Sequence, residues 1–236
     1  MMPHNPLPSF YGVFLRPDPK TCLAVTTITS AVRQQFGMVS ANAFPPHVTL
    51  AGITPILAPT ESVIEAVEPA IRAAEQFEVV NAGITRRNIA ITYDVNNSQN
   101  GQTSGEMLGL AILINAALRP LAIQYEELKV DPFSAGTFHA HISLASHELR
   151  NREDLREEVE TFIHGLECPA PATFNAEIVS LYQFTSDDWS GCWWETLKWT
   201  HHKSWKLPSP VRHNGRRASD GNIVSVGQTN ATREIH

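Results

Sequence analysis

Two tetrapeptides carry residue types suited to acid–base chemistry: His47-Val48-Thr49-Leu50 and His141-Ile142-Ser143-Leu144, about ninety residues apart. Histidine titrates near neutrality, so one imidazole can take a proton while another gives one. Breaking a phosphodiester needs both acts: activation of water or of a hydroxyl, and protonation of the departing oxygen. Successive side chains of a strand point to opposite faces, so the hydroxyl two residues after each histidine shares its face. There it can donate to a non-bridging phosphate oxygen. Two such strands facing each other would flank the phosphorus with His47 and His141. Thr49 and Ser143 would hold the anionic oxygens as charge builds. This design requires no metal and no cofactor. With average residue usage, one His-x-[Ser/Thr]-Leu is expected in roughly one chain in twenty of this length, and two in roughly one in a thousand. A lone His-x-Thr on a strand is more often a hydrogen-bonded surface pair, so the recurrence carries the argument. His202-Lys203-Ser204 is a useful control, since it matches the shorter pattern but is followed by Trp205.

The elements around the motifs follow from periodicity. Phe10 to Leu15 is aromatic and β-branched and reads as a strand. Thr21 to Phe36 has apolar residues at helical spacing, and Gly37 would stop that helix. Pro45-Pro46 forces an extended approach to His47. A second helix runs from Thr60 to about Gln76. Phe77 to Ala82 and Asn88 to Val95 read as strands joined by a hairpin connection at Gly83 to Arg87. A polar loop, Asn96 to Gly105, precedes a third helix from about Glu106 to Leu118, ended by Pro120. An irregular segment, Asp131 to Thr137, leads into the second motif. A charged amphipathic helix, about Arg150 to His164, follows it. Phe174 to Phe184 and Cys192 to Thr200 read as closing strands around a turn. Each half thus shows a motif strand, a helix and further strands, a weak internal duplication. Two similar halves would present the motif strands to each other across a cleft. The expected organisation is a single bilobal domain over residues 1–202, with 203–236 a disordered tail.

Bulk composition narrows the partners. The 236 residues are 42% hydrophobic and 18% charged, which suits a globular chain with an ordinary core. The net charge of -6 argues against a chain-wide grip on long nucleic acid, which rests on many Lys and Arg neutralising phosphates. A small cyclic-phosphate nucleotide or a short RNA end remains within reach of a few local charges. Three cysteines without a Cys-x-x-Cys pair point to reduced thiols and a cytoplasmic compartment. The N-terminal residues show no secretory signal, so the glycosylation patterns at Asn96 and Asn230 are read as chance. The apolar stretch Met107 to Ile123 contains Asn115, Arg119 and Pro120, and reads as a buried helix rather than a membrane span. The chain is expected to act as a monomer.

Other residues are weaker candidates. His139 and His141 form a His-x-His pair that could ligate zinc or copper, but no clear partner cluster accompanies it. His139 is therefore read as supporting the site or facing substrate. Tyr11, Tyr93 and Tyr182 fall on strands. Tyr182 and Tyr11 are the candidates for stacking on a base, against the commoner reading as core aromatics. Trp193, Trp194 and Trp199 are expected to close the apolar layer. Arg86-Arg87 could attract phosphate, but two arginines at a hairpin tip are usually just solvated. No phosphate-cradling Gly-rich loop and no nucleophile elbow is present.

On the two His-x-[Thr/Ser]-Leu motifs, their separation and the bilobal repeat, the chain resembles the two-histidine (2H) phosphoesterase superfamily over roughly residues 8 to 200. That superfamily includes RNA 2′,5′-ligase-like proteins and cyclic phosphodiesterases. The resemblance implies a two-lobed α+β fold, with antiparallel sheets around a central groove and helices outside. It implies His47 and His141 as the acid–base pair and Thr49 and Ser143 as phosphate-binding hydroxyls. The implied activity is hydrolysis of a 2′,3′-cyclic or 1″,2″-cyclic phosphate. The alternatives are an RNA 2′,5′-phosphodiester ligase or hydrolase, a non-catalytic module that holds an RNA end, and a metalloprotein built on His139 and His141. Basic residues that some RNA-processing members use near the groove are not obvious, which favours a small cyclic phosphate.

Overall fold

The computed structural model describes residues 7–128 and 132–210. The segments 1–6 and 129–131 and the tail from 211 onward, with Asp131 and the Asn230 pattern, lie outside the described residues. In chain order the elements are β1 (Ser9–Arg16), α1 (Pro19–Phe36), β2 (Val48–Ile56), α2 (Thr60–Arg72), β3 (Phe77–Val80), β4 (Ile84–Arg87) and β5 (Ala90–Asp94). Then come α3 (Gly105–Leu118), β6 (His141–Ala145), α4 (Arg156–Gly165), β7 (Thr173–Ala176), β8 (Ile178–Thr185) and β9 (Lys198–Lys206). All strand pairings are antiparallel: a four-stranded sheet in the order β2-β1-β8-β9, a three-stranded sheet β4-β5-β6, and the pair β3-β7. The fold is α+β, as the sequence implied.

Helix ends follow local chemistry. α1 begins at Pro19, two residues before the apolar pattern, because Asp18 caps it by accepting from the Thr21 N–H at 2.8 Å, and proline suits the first helical turn. It ends at Gly37, whose φ of 70° is left-handed and costs glycine little. Its buried face is Ala24, Val25, Ile28 and Val32, at helical spacing. Burying each of the larger three contributes about 2 kcal/mol. α2 ends at Arg72 rather than near Gln76. Pro69 lacks the N–H that would continue the ladder, and the helix stops within its next turn. Ser104 caps α3 through the Met107 N–H at 3.2 Å, and Met107, Leu110, Ala111, Ile114 and Leu118 are buried. No described helix is long and apolar enough to cross a membrane.

Several expectations change. The stretch Gly83 to Arg87, expected as a bare connection, holds strand β4, which turns back onto β5 at Asn88, φ 50°. The single helix expected after the second motif begins as two 3-10 turns, His147–Arg150 and Glu153–Leu155, and becomes α-helical only at Arg156. Cys192–Thr200 is not one strand: Trp193–Glu195 is a 3-10 turn, and β9 starts at Lys198. β9 also runs through Lys206, so residues 203–206 belong to the sheet rather than to the tail, anchored by the buried Trp205 and Leu207. Polar residues conceal this strand because it is an edge, with one side of its ladder open. The control triplet therefore lies on a strand. A register irregularity opposite Leu181 and Tyr182 breaks the alternation: His202 turns to Gln183 Oε1 at 2.9 Å, while Ser204 meets Ser180 at 2.7 Å.

The halves are interleaved rather than consecutive. The four-stranded sheet joins β1 and β2 to β8 and β9, while β4 to β6 form the other motif sheet. Helices cross over as well. α1, which follows β1, packs against β6 and α4; α3, which follows β5, packs against β2 and α2. One continuous core, from Val13 and Leu15 to Ile142 and Leu144, runs through both.

Candidate active site

Each motif histidine is held the same way. His47 Nδ1 lies 2.7 Å from the Pro45 carbonyl oxygen, and His141 Nδ1 lies 2.8 Å from that of His139. A carbonyl only accepts, so Nδ1 carries the proton in both rings. In the neutral imidazole this leaves each Nε2 as a free base. The two rings are near enough that a positive charge on His141 disfavours one on His47. They are brought together although the strands that carry the motifs, β2, which His47 immediately precedes, and β6, belong to different sheets.

The hydroxyls follow alternation. Val48 and Leu50 are buried in the main core, leaving Thr49 partly exposed on the opposite face, across from Phe14. Ile142 and Leu144 are likewise buried, with His141 and Ser143 partly exposed.

The surroundings of the two histidines differ. His47 stacks on Phe14, centroids 4.0 Å apart and planes at 22°, and Phe44 lies 5.4 Å away. Desolvation among these rings lowers its pKa to about 4, against the opposing bond to the Pro45 carbonyl and with a smaller push from His141. Burial also lowers the His141 pKa, opposed by the His139 carbonyl. The charges of His139 and Arg87 lower it further, and Asp94 raises it. Gly12 sits in this aromatic layer because a Cβ there would come within 2.8 Å of the Phe14 ring and 3.0 Å of Phe184.

The remaining candidates separate by face. Tyr182 is on the His47 side of its sheet, 5.8 Å from Phe14 and 7% exposed. Tyr11 is not. It is 1% exposed in the core on the helix side, and its hydroxyl meets Thr60 Oγ1 at 2.8 Å. Its expected contact with substrate is withdrawn, because odd positions of β1 face the helices while Phe10 and Phe14 face the site. Tyr93 is buried, with its hydroxyl on the Cys168 carbonyl at 3.3 Å. His139 Nε2 pairs with Asp94 Oδ1 at 3.2 Å. Among the described residues no three His, Cys, Asp or Glu side chains gather as a metal would need. Trp193 and Trp194 join His147 in an aromatic group that reaches Phe44.

Several positioning residues escaped the sequence reading. Asn96 Oδ1 accepts from the Ala140 N–H at 3.0 Å and fixes the approach to His141. Asp94 lies directly across from His141 in the ladder. Glu148 Oε1 accepts from the N–H groups of Val39 and Ser40, both at 2.7 Å, and its Oε2 accepts from the Ser40 hydroxyl. Ser40 Oγ also meets Ser146 Oγ at 2.9 Å. This clasp ties the loop before His47 to the segment after His141. The only sequence signal is that Ser146 and Glu148 fall within five positions of a motif.

No family model matches the chain, and no curated protein does. Solved structures do. E. coli LigT complexed with NADP+ is 14% identical, with a TM-score of 0.51 over 86% of this chain and 100% of that one. The same protein complexed with ATP gives 0.50 at 14% identity over the same shares. TT0787 of Thermus thermophilus gives 0.51 at 14% identity, over 85% of this chain and 98% of that one. The chain therefore shares the fold of LigT and TT0787.

Proposed function

We propose that the chain is a phosphodiesterase that opens a 2′,3′-cyclic or 1″,2″-cyclic phosphate of a nucleotide or RNA end, with His47 and His141 as its acid–base pair. One observation carries the reading: two imidazoles, each tethered through Nδ1 to the carbonyl two residues back, each leaving Nε2 free beside a hydroxyl on its own strand face. The fold, and the nucleotides bound to the LigT structures, support it.

In this reaction one Nε2 takes a proton from water as the water oxygen attacks phosphorus. The other gives a proton to the ribose oxygen as its bond to phosphorus breaks. Thr49 and Ser143 donate to the two non-bridging oxygens, where negative charge grows. Both histidine pKa values are lowered in the free protein, so the acid gains its proton when the substrate's anionic phosphate arrives beside it. No step calls on a metal.

Purified protein with chelator present is expected to open 2′,3′-cyclic nucleotides. His47→Ala and His141→Ala abolish this, and Thr49→Val or Ser143→Ala lowers kcat by roughly a hundredfold. Full activity in both histidine variants would remove the assignment.

A further inference from the structure

The three-stranded sheet carries a polar row of which the phosphodiester chemistry uses only one end, Ser143. Thr85 pairs with Thr92, and Thr92 pairs with Ser143, so three hydroxyl-bearing side chains cross the sheet on the face of His141. Direct cross-strand neighbours stand about 5 Å apart. Thr92 is 1% exposed, and its hydroxyl is buried without a partner. Such an orphan costs about 1–3 kcal/mol, so its place between two other hydroxyls calls for a ligand that would satisfy it.

Arg87 completes the row. The β4–β5 ladder is regular, so Arg87, two positions after Thr85, lies on that same face, and Arg86 lies on the other. Arg86 is paired with Glu160 of α4. Arg87 is exposed, and among the described residues no carboxylate is within ion-pair reach of it. Its charge is nevertheless felt at His141. A guanidinium left unpaired beside partly buried hydroxyls offers a forked donor set that matches a phosphate. Two residues along a strand span about 7 Å, which puts the row one step, and Arg87 two steps, from His141. The long Arg87 side chain spans part of that separation, and its charge comes near enough to act on His141, within reach of a nucleotide whose cyclic phosphate lies at the histidines.

We propose that Arg87, with Thr85 and Thr92, forms a second phosphate subsite next to the one that holds Ser143. It takes a phosphoryl group on the 5′ oxygen of the nucleoside whose cyclic phosphate lies between the histidines. The assignment rests on the acid–base reading of that pair and adds a substrate preference to it. The 5′ phosphate has two sources, a free monoester or the next diester of a short chain.

Calorimetric titration of the protein with adenosine 3′-monophosphate, adenosine 3′,5′-bisphosphate and the 3′-phosphorylated dinucleotide ApAp tests it without turnover. The bisphosphate is expected to bind about tenfold tighter than the monophosphate. In Arg87→Met the two should bind within about twofold of each other, and Arg87→Lys should restore part of the gain. A gain for the bisphosphate alone assigns the subsite to a terminal monoester; a gain shared by ApAp assigns it to a continuing chain. Equal affinities in the wild type, a gain that survives in Arg87→Met, or no binding of any ligand overturns the subsite. Failure of the hydrolase reading is separate, since it would show as uncleaved cyclic phosphate.

Discussion

His47 and His141 share a tether but not an environment, and the difference sets how the site should respond to pH. His47 lies against Phe14 and titrates at about 4, while His141 is also lowered but keeps Asp94 across the strand. In the free protein the acid must carry a proton and the base must not. With both pKa values depressed below the ordinary 6.5, the doubly competent form is most populated below pH 6.5 and falls as pH rises. A pH series of kcat/KM on a 2′,3′-cyclic nucleotide is expected to peak below pH 6.5. kcat should peak at higher pH, because bound phosphate raises the histidine pKa values. A kcat/KM that still climbs above about pH 7 would contradict this. The histidines and their hydroxyls are legible in the sequence because a period of two is written in adjacent positions. Tyr11 and Arg87 are not, since which face a residue takes depends on its partner strand and its register.

Among the elements, the short loops before and after the motif strands do the joining. Glu148 satisfies two backbone N–H groups and the buried Ser40 hydroxyl of the loop that leads to His47. Glu148→Ala leaves those donors without an acceptor and is expected to destabilise the fold by about 3 kcal/mol in urea unfolding. Glu148→Gln keeps one carbonyl oxygen and should lose clearly less. Equal, small losses in both would show that the clasp is not what joins the loops. Helices α1 to α3 are readable from spacing and caps. β4 is hidden in a turn-like stretch, and β9 in a polar one. Both are edge strands, and an edge strand needs little apolar sequence to hold its place.

At the scale of the molecule, the weak duplication in the sequence gives way to an exchange. α1 leaves the sheet of β1 to cover β6, and α3 leaves the sheet of β5 to cover β2. Neither motif sheet keeps its helical cover if the other is lost, so unfolding should be one transition. Tryptophan emission reports mainly the four-stranded side, where four of the five tryptophans, Trp189, Trp193, Trp199 and Trp205, reside. Far-ultraviolet circular dichroism reports the helices. The two probes are expected to give coincident urea curves, and separated midpoints would argue for independent lobes. Topology of this kind is not local in sequence, which is why the repeat is visible there and its interlocking is not. The order β2-β1-β8-β9 also bears on how the chain is made. A nascent polypeptide that has emerged only as far as β6 holds all three strands of the sheet carrying His141. β1, however, still shows an unpaired edge where β8 will dock, open to any passing strand. The four-stranded sheet is thus completed late in translation, and the interval before Ile178–Thr185 leaves the ribosome is when this chain most needs protection from aggregation.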